Sequence, residues 1–169
     1  MSDNFKERLK KVSTFVLDVD GVLTNGQLII LPEGELLRSM NIKDGFAMKH
    51  ALNNGYNIII ISGGKSEGVP KRLSKLGVKH IYMECKDKLS QLKEISSELE
   101  IATDKMLFMG DDLPDIELSN YCGVATCPAD ACTEIKEKSI YMSTKKGGEG
   151  CVRDVIEQTL KVQDKWNFN

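Results

Sequence analysis

The stretch Phe15-Val16-Leu17-Asp18-Val19-Asp20-Gly21-Val22-Leu23-Thr24 decides how the rest of the chain is read. Three apolar residues run without a polar break into two carboxylates, and a glycine follows. A continuous apolar run predicts a strand buried on both faces, as in a parallel sheet covered by helices on either side. Strands of this kind end at the carboxyl edge, where open α/β sheets hold their ligands. Asp18 and Asp20 are therefore expected in a half-dry pocket, an unfavourable place for two like charges unless a cation neutralises them. The alternative is a solvated turn carrying two acidic residues.

Composition bounds the rest. A chain of 169 residues, 41% hydrophobic and 28% charged, matches one folded domain with a full core, read here as spanning 1–169. A net charge of −2 offers no basic excess for a phosphate backbone, so nucleic acid is not the expected partner. Residues 1–11 read as a short charged amphipathic helix rather than a signal peptide. The longest apolar run, 58–61, is far too short to cross a bilayer. A cytoplasmic protein with no membrane partner is the expectation. Five cysteines, three of them (Cys122, Cys127, Cys132) at five-residue intervals, lack zinc-ligand spacing and read as reduced, mostly buried small hydrophobes.

Outward from the first strand, residues 27–31 and 35–40 flank Pro32-Glu33-Gly34 and predict a β-hairpin, rich in apolar residues and suited to covering something or docking on another subunit. Residues 41–45 lead into a helix over 46–52, closed by Asn53-Asn54-Gly55. Strands are expected at 58–61, 78–83, 106–109, 123–125 and 140–142. Helices are expected from Ser66 or Glu67 to Gly77, over 87–99, from 116 to 120, over 131–137 and over 152–162. This alternation implies an α/β fold, a doubly wound Rossmann-like parallel sheet with right-handed crossovers.

In such a sheet the strand ends collect Asp18 and Asp20, Ser62, and Asp111 with Asp112 at one edge, with Lys88 at a helix start. Clustered carboxylates repel unless a divalent cation sits among them, and an all-oxygen donor set selects Mg2+. The set suits phosphoryl transfer through an aspartyl phosphate. Asp18 would attack phosphorus, Asp20 would serve as acid and base, Ser62 and Lys88 would hold phosphoryl oxygens, and Asp111 with Asp112 would complete the metal shell.

Four segments carry a resemblance: Asp18-Val19-Asp20-Gly21-Val22-Leu23-Thr24, Ile60-Ile61-Ser62-Gly63, Lys88, and Gly110-Asp111-Asp112-Leu113-Pro114-Asp115. In order and spacing they are similar to the four motifs of the haloacid dehalogenase superfamily of phosphatases. The resemblance implies that Asp18 is the nucleophile and that Asp20 binds the metal through its backbone carbonyl, leaving its side chain free for proton transfer. The intervals from Asp20 to Ser62 and from Ser62 to Lys88 are too short for a cap domain, so the chain resembles the capless branch. Asn41-Ile42-Lys43-Asp44-Gly45-Phe46, Arg72, and Gly147-Gly148-Glu149-Gly150-Cys151-Val152-Arg153-Asp154 add to the likeness.

That branch implies a homotetramer in which hairpins and the C-terminal segment help close the site. The substrate would be a phosphorylated 2-keto-3-deoxy sugar acid, of eight carbons or alternatively nine, on the route to surface polysaccharide and lipopolysaccharide. Asn41, Ile42, Lys43, Asp44, Gly45, Lys49, Gly63, Gly64 and Arg72 would line its pocket. Two positions depart from the pattern: Lys65 and Glu149 stand where arginines are frequent, and a lysine is a point charge rather than a fork for a carboxylate. A reading from another class, a phospho-accepting receiver domain, is disfavoured because 58–61 ends in Ser62 rather than an aspartate. A catalytically idle homologue is disfavoured because each motif residue is present.

Overall fold

A computed structural model describes residues 4–168. Met1-Ser2-Asp3, part of the expected first helix, lie outside the described residues. Within them α1 covers Phe5–Leu9, with the Asn4 side chain accepting the Lys6 backbone N–H as its cap. The order continues β1 (Thr14–Leu17), β2 (Ile29–Ile30), β3 (Leu36–Leu37), α2 (Ile42–Asn53), β4 (Asn57–Ile61), α3 (Gly68–Leu76), β5 (His80–Tyr82) and α4 (Lys88–Glu98). After these come β6 (Met106–Met109), α5 (Ile116–Tyr121), β7 (Val124–Cys127), α6 (Thr133–Lys138), β8 (Tyr141–Met142) and α7 (Cys151–Val162).

Six strands form one parallel sheet in the order β5-β4-β1-β6-β7-β8. β1 is central: Val16 pairs with Ile59 on one side and Phe108 on the other. All four β1 residues are buried, which is why its sequence shows no polar alternation. Phe15 and Leu17 face a core shared with α1, α2, α3 and α7, while Val16 faces Leu92, Ile95 and Leu118 of α4 and α5. Sequence order reverses across β1, so the chain leaving Leu17 emerges at the switch point where a crevice opens. No inserted domain follows β1 or β4 among the described residues.

Three local differences matter for the site. The hairpin strands are two residues each, shorter than expected, and Leu28, Ile29, Ile30, Leu36 and Leu37 remain exposed. The helix expected at 46–52 begins at Ile42, because Asn41 caps it by accepting the Lys43 N–H at 2.8 Å. Gly45 therefore sits inside α2, where a Cβ would lie 3.0 Å from an Arg72 Nη and 3.3 Å from Leu76 of α3; glycine lets the two helices approach closely. The five cysteines are free thiols. No helix among the described residues is long and apolar enough to cross a membrane.

Candidate active site

The chain leaves β1 through a wide turn over Val19–Leu23, closed by the Thr24 N–H donating to the Val19 carbonyl at 3.0 Å. The Thr24 hydroxyl accepts the N–H groups of Gly21 and Gly26, and so fixes the loop from inside. Gly21 has φ +87, and a Cβ there would stand 1.9 Å from Asp111 Oδ2. The motif glycine thus serves both the left-handed backbone and the close approach of the Asp111 carboxylate. From the far side, Gly147 and Gly148 pack on the same loop. A Cβ on Gly147 would meet the Gly21 carbonyl at 2.0 Å, and the Gly148 N–H donates to the Val22 carbonyl at 2.9 Å.

Asp18 is 6% exposed, and its Oδ1 accepts from Lys88 Nζ at 3.0 Å. The same ammonium donates to Asp115 Oδ1 at 2.7 Å, and Asp115 Oδ2 accepts the Asp111 backbone N–H at 3.0 Å. One oxygen from each of Asp18, Asp111 and Asp115 lies within 4.8 Å of the others. Burial, then the charge of Asp115, pushes the Asp18 carboxyl up to about 7 against the opposing pull of Lys88. Burial, then the charges of Asp18 and Asp115, likewise pushes Asp111 up to about 7. Burial works against the Lys88 ammonium, yet Asp18 and Asp115 together hold it above its ordinary value.

One ammonium thus faces three carboxylates, and two of those carboxyls hold their protons to near neutrality. The donors are all hard oxygens on a crowded, mostly buried edge, and Gly21 lets the Asp111 carboxylate close in on the β1 loop. This set fits a divalent cation such as magnesium. Asp115 already spends both oxygens on Lys88 and the Asp111 N–H, so Asp18 and Asp111 are the carboxylates with capacity left for a metal.

Asp112 does not join them. It is exposed, and its Oδ1 accepts the Leu113 N–H at 2.8 Å as the cap of a short turn over Leu113–Asp115. That turn swings Asp115 inward instead, where it meets Lys88 and the Asp111 N–H. Asp20 is close to the cluster in sequence, but its carboxylate points to Arg38, whose Nε and Nη2 donate to its two oxygens at 2.7 and 3.0 Å. Arg38 had no role in the sequence reading.

Ser62 ends β4 buried, its Oγ accepting the Gly64 N–H at 3.1 Å. A Cβ on Gly64 would stand 2.7 Å from Asp20 Oδ2, so this glycine too is a matter of space. Gly63 is less constrained: a Cβ there would meet the Cys85 carbonyl at 3.6 Å, an ordinary contact.

The residues expected to line a substrate pocket divide. Arg72 lines a cavity of about 790 Å3 with Arg38, Met40, Lys65 and Val69, between the hairpin and the start of α3. Ile42 and Lys43 line a separate groove of about 400 Å3 with Phe46, Arg153 and Phe168. Lys49 is exposed on α2. Asn41 donates through Nδ2 to the Gly148 carbonyl at 3.2 Å, tying α2 to the late glycine loop. Asp44 is 1% exposed and turned inward, accepting the Arg153 N–H at 2.7 Å at the start of α7. The early helix start is the reason: one turn into α2, position 44 faces the core. Asp44 ties α2 to the start of α7.

Comparison with known proteins agrees with this geometry. A family model described as haloacid dehalogenase-like hydrolase matches residues 80–156. The chain is 30% identical over 165 residues to the 3-deoxy-D-manno-octulosonate 8-phosphate phosphatase of Yersinia pestis, covering 98% of this chain and 88% of that protein. It is 32% identical over 158 residues to the enzyme of the same name from Escherichia coli strain K12, covering 94% and 84% respectively. The crystal structure of the Moraxella catarrhalis 3-deoxy-D-manno-octulosonate 8-phosphate phosphatase, in complex with magnesium, phosphate and KDO, superposes with a TM-score of 0.94. That match has 32% identity and covers 98% of this chain and 95% of that one. With its motifs in order on a capless parallel sheet, this chain belongs to the haloacid dehalogenase-like hydrolases and is a phosphatase of that family.

Proposed function

We propose that the chain hydrolyses 3-deoxy-D-manno-octulosonate 8-phosphate, or a close phosphorylated 2-keto-3-deoxy sugar acid, by way of an aspartyl phosphate on Asp18. The observation that carries the reading is the Asp18–Lys88–Asp115 chain beside Asp111 at the end of the central strand. Likeness to the octulosonate 8-phosphate phosphatases over nearly the whole chain supports the substrate class. The chain reads as a single phosphatase domain throughout.

Asp18, Asp111 and the backbone carbonyl of Asp20 would hold magnesium, which when bound neutralises the carboxylates and the phosphoryl charge. The Asp18 carboxylate attacks phosphorus as the ester P–O bond breaks, and Asp20 gives its proton to the departing sugar oxygen. Water then attacks phosphorus while Asp20 takes a proton back; the acyl phosphate bond breaks, releasing phosphate and restoring Asp18. Lys88 orients Asp18 and stabilises a phosphoryl oxygen. The Ser62 Oγ already accepts from the Gly64 N–H, so its own proton is available to another phosphoryl oxygen.

The cavity beside Asp20 is lined by Arg38, Lys65 and Arg72 together with Glu33, Glu35 and Glu67, a wall of both charges in which Lys65 and Arg72 are the cations left to meet an acidic sugar. Arg72 supplies a fork that Lys65 and Glu149 do not. Ile29 and Ile30 of the hairpin, 64% and 72% exposed, support assembly through this element, and a homotetramer is the proposed state. A cytoplasmic step that supplies precursor for lipopolysaccharide completes the reading.

The direct test is phosphate release from octulosonate 8-phosphate with magnesium, set against a nine-carbon 9-phosphate analogue. The eight-carbon ester is expected to have the higher kcat/KM. A clear preference for the nine-carbon acid would move the assignment to that substrate, and inertness toward both would overturn it.

A further inference from the structure

We propose that Arg38 is a positioning residue for Asp20, aiming the carboxylate that exchanges protons with the leaving oxygen and with water. This deepens the phosphatase reading and rests on Asp20 having that part. The sequence places Arg38 just past the short strand β3, among residues whose side chains mostly face outward. Its own side chain is only 4% exposed. The guanidinium joins three separate segments: Nε and Nη2 clamp both Asp20 oxygens, while Nη1 donates to the carbonyls of Lys65 at 3.1 Å and Leu36 at 3.4 Å.

An arginine anchored by two carbonyls cannot swing, so the carboxylate it grips in two-pronged fashion loses its rotation as well. The surroundings are shaped for this pair. Gly64, the residue that leaves room for Asp20 Oδ2, leaves room for Arg38 too, since a Cβ there would stand 3.1 Å from Nη2. With one edge of the carboxylate held, the remaining lone pairs keep a fixed direction relative to Arg38, which itself lines the cavity with Lys65 and Arg72. A displaced acid/base group loses rate steeply, about a hundredfold for an error near 1 Å. Arg38 also makes the aim of Asp20 depend on the hairpin, because the arginine is carried by that element.

A purely structural tie would make other predictions, and a double-mutant cycle separates them. Arg38→Gln is expected to lower kcat for a sugar-acid phosphate by roughly 10- to 100-fold with a smaller change in KM. Arg38→Lys, which keeps the charge but not the fork, should fall between Gln and wild type. In an Asp20→Asn background, Arg38→Gln should cause less than about a twofold further loss, because the group it aims is already disabled. The loss should also be at least about tenfold larger for the sugar ester than for p-nitrophenyl phosphate in single turnover, since nitrophenolate needs little protonation to depart.

Equal fold-losses in the wild-type and Asp20→Asn backgrounds, or equal losses for both esters, would overturn the proposal. So would a loss confined to KM or thermal stability. If Arg38→Gln does not fold, the Arg38→Lys arm of the same cycle decides alone. Wild-type protein inert toward both esters would instead overturn the phosphatase reading itself.

Discussion

Two places in this molecule bury a carboxylate, and they solve the problem in opposite ways. Asp44 lies alone beneath the start of α7, where the Arg153 N–H donates to one oxygen and the helix N-terminus favours negative charge. Burial still pushes it up to about 6, and the residue is 1% exposed. At the end of β1, Asp18, Asp111 and Asp115 crowd around one ammonium with lone pairs to spare. A lone carboxylate held through one oxygen by a helix end, its other oxygen buried without a partner, is architecture. A cluster with more negative charge than its neighbours can neutralise is a place for a cation and a reaction.

Removing Lys88 should produce the largest effect on that contrast. Lys88→Met leaves three carboxylates without their ammonium, and breaking a buried pair costs about 3–5 kcal/mol. Activity toward the sugar ester is expected to fall by roughly 100- to 1,000-fold, the scale of losing one charge-stabilising donor, as read by single-turnover phosphate release. A loss below about tenfold would mean that Lys88 only balances charge.

Gly21→Ala probes the space rather than the charge. Its Cβ would collide with Asp111 and would have to adopt φ +87, so Asp111 must move. Magnesium affinity, measured by calorimetry on the metal-free protein, is expected to weaken by about 10- to 100-fold. Unchanged affinity would remove Asp111 from the metal site.

The raised carboxyls make a third, smaller test. Asp18 and Asp111 hold protons up to about 7 in the metal-free protein, so protons compete with magnesium. The apparent dissociation constant is expected to tighten by about tenfold or more from pH 6 to pH 8, with protons released on binding. A pH-independent constant would place the metal elsewhere.

Asp44→Asn should leave turnover within about threefold, since the residue is enclosed between α2 and α7, and should change stability instead. The folded protein holds the Asp44 proton more tightly than the unfolded chain, about 6 against 3.8. The group therefore favours folding fully below about pH 4, and that contribution is lost as pH rises to about 6. The variant should lack this slope, worth up to about 3 kcal/mol between about pH 4 and 7 in denaturant titrations. Parallel profiles for variant and wild type would show that Asp44 titrates normally.

The contrast also explains what the sequence made legible. Asp18 and Ser62 are carried by a local pattern, a buried strand followed at once by its functional residue, while Lys88 is marked by its place at the start of α4. Asp115 was harder to single out from Asp111 and Asp112, because three carboxylates lie within five residues and only the Leu113–Asp115 turn decides which faces inward. Asp44 was assigned to the pocket by resemblance alone, and its inward turn follows from a helix that starts at Ile42 behind the Asn41 cap rather than at Phe46. Arg38 depends on the hairpin packing against loops distant in sequence, which no local period records.

The central claim is that Asp18 becomes covalently phosphorylated during turnover. Acid quenching of wild-type protein mid-reaction with the sugar ester and magnesium, followed by borohydride reduction and peptide mapping, addresses it directly. Reduction of an acyl phosphate at position 18 should yield homoserine there, and in no sample lacking substrate. Homoserine at another aspartate, or none at any position while phosphate is being released, would contradict the account.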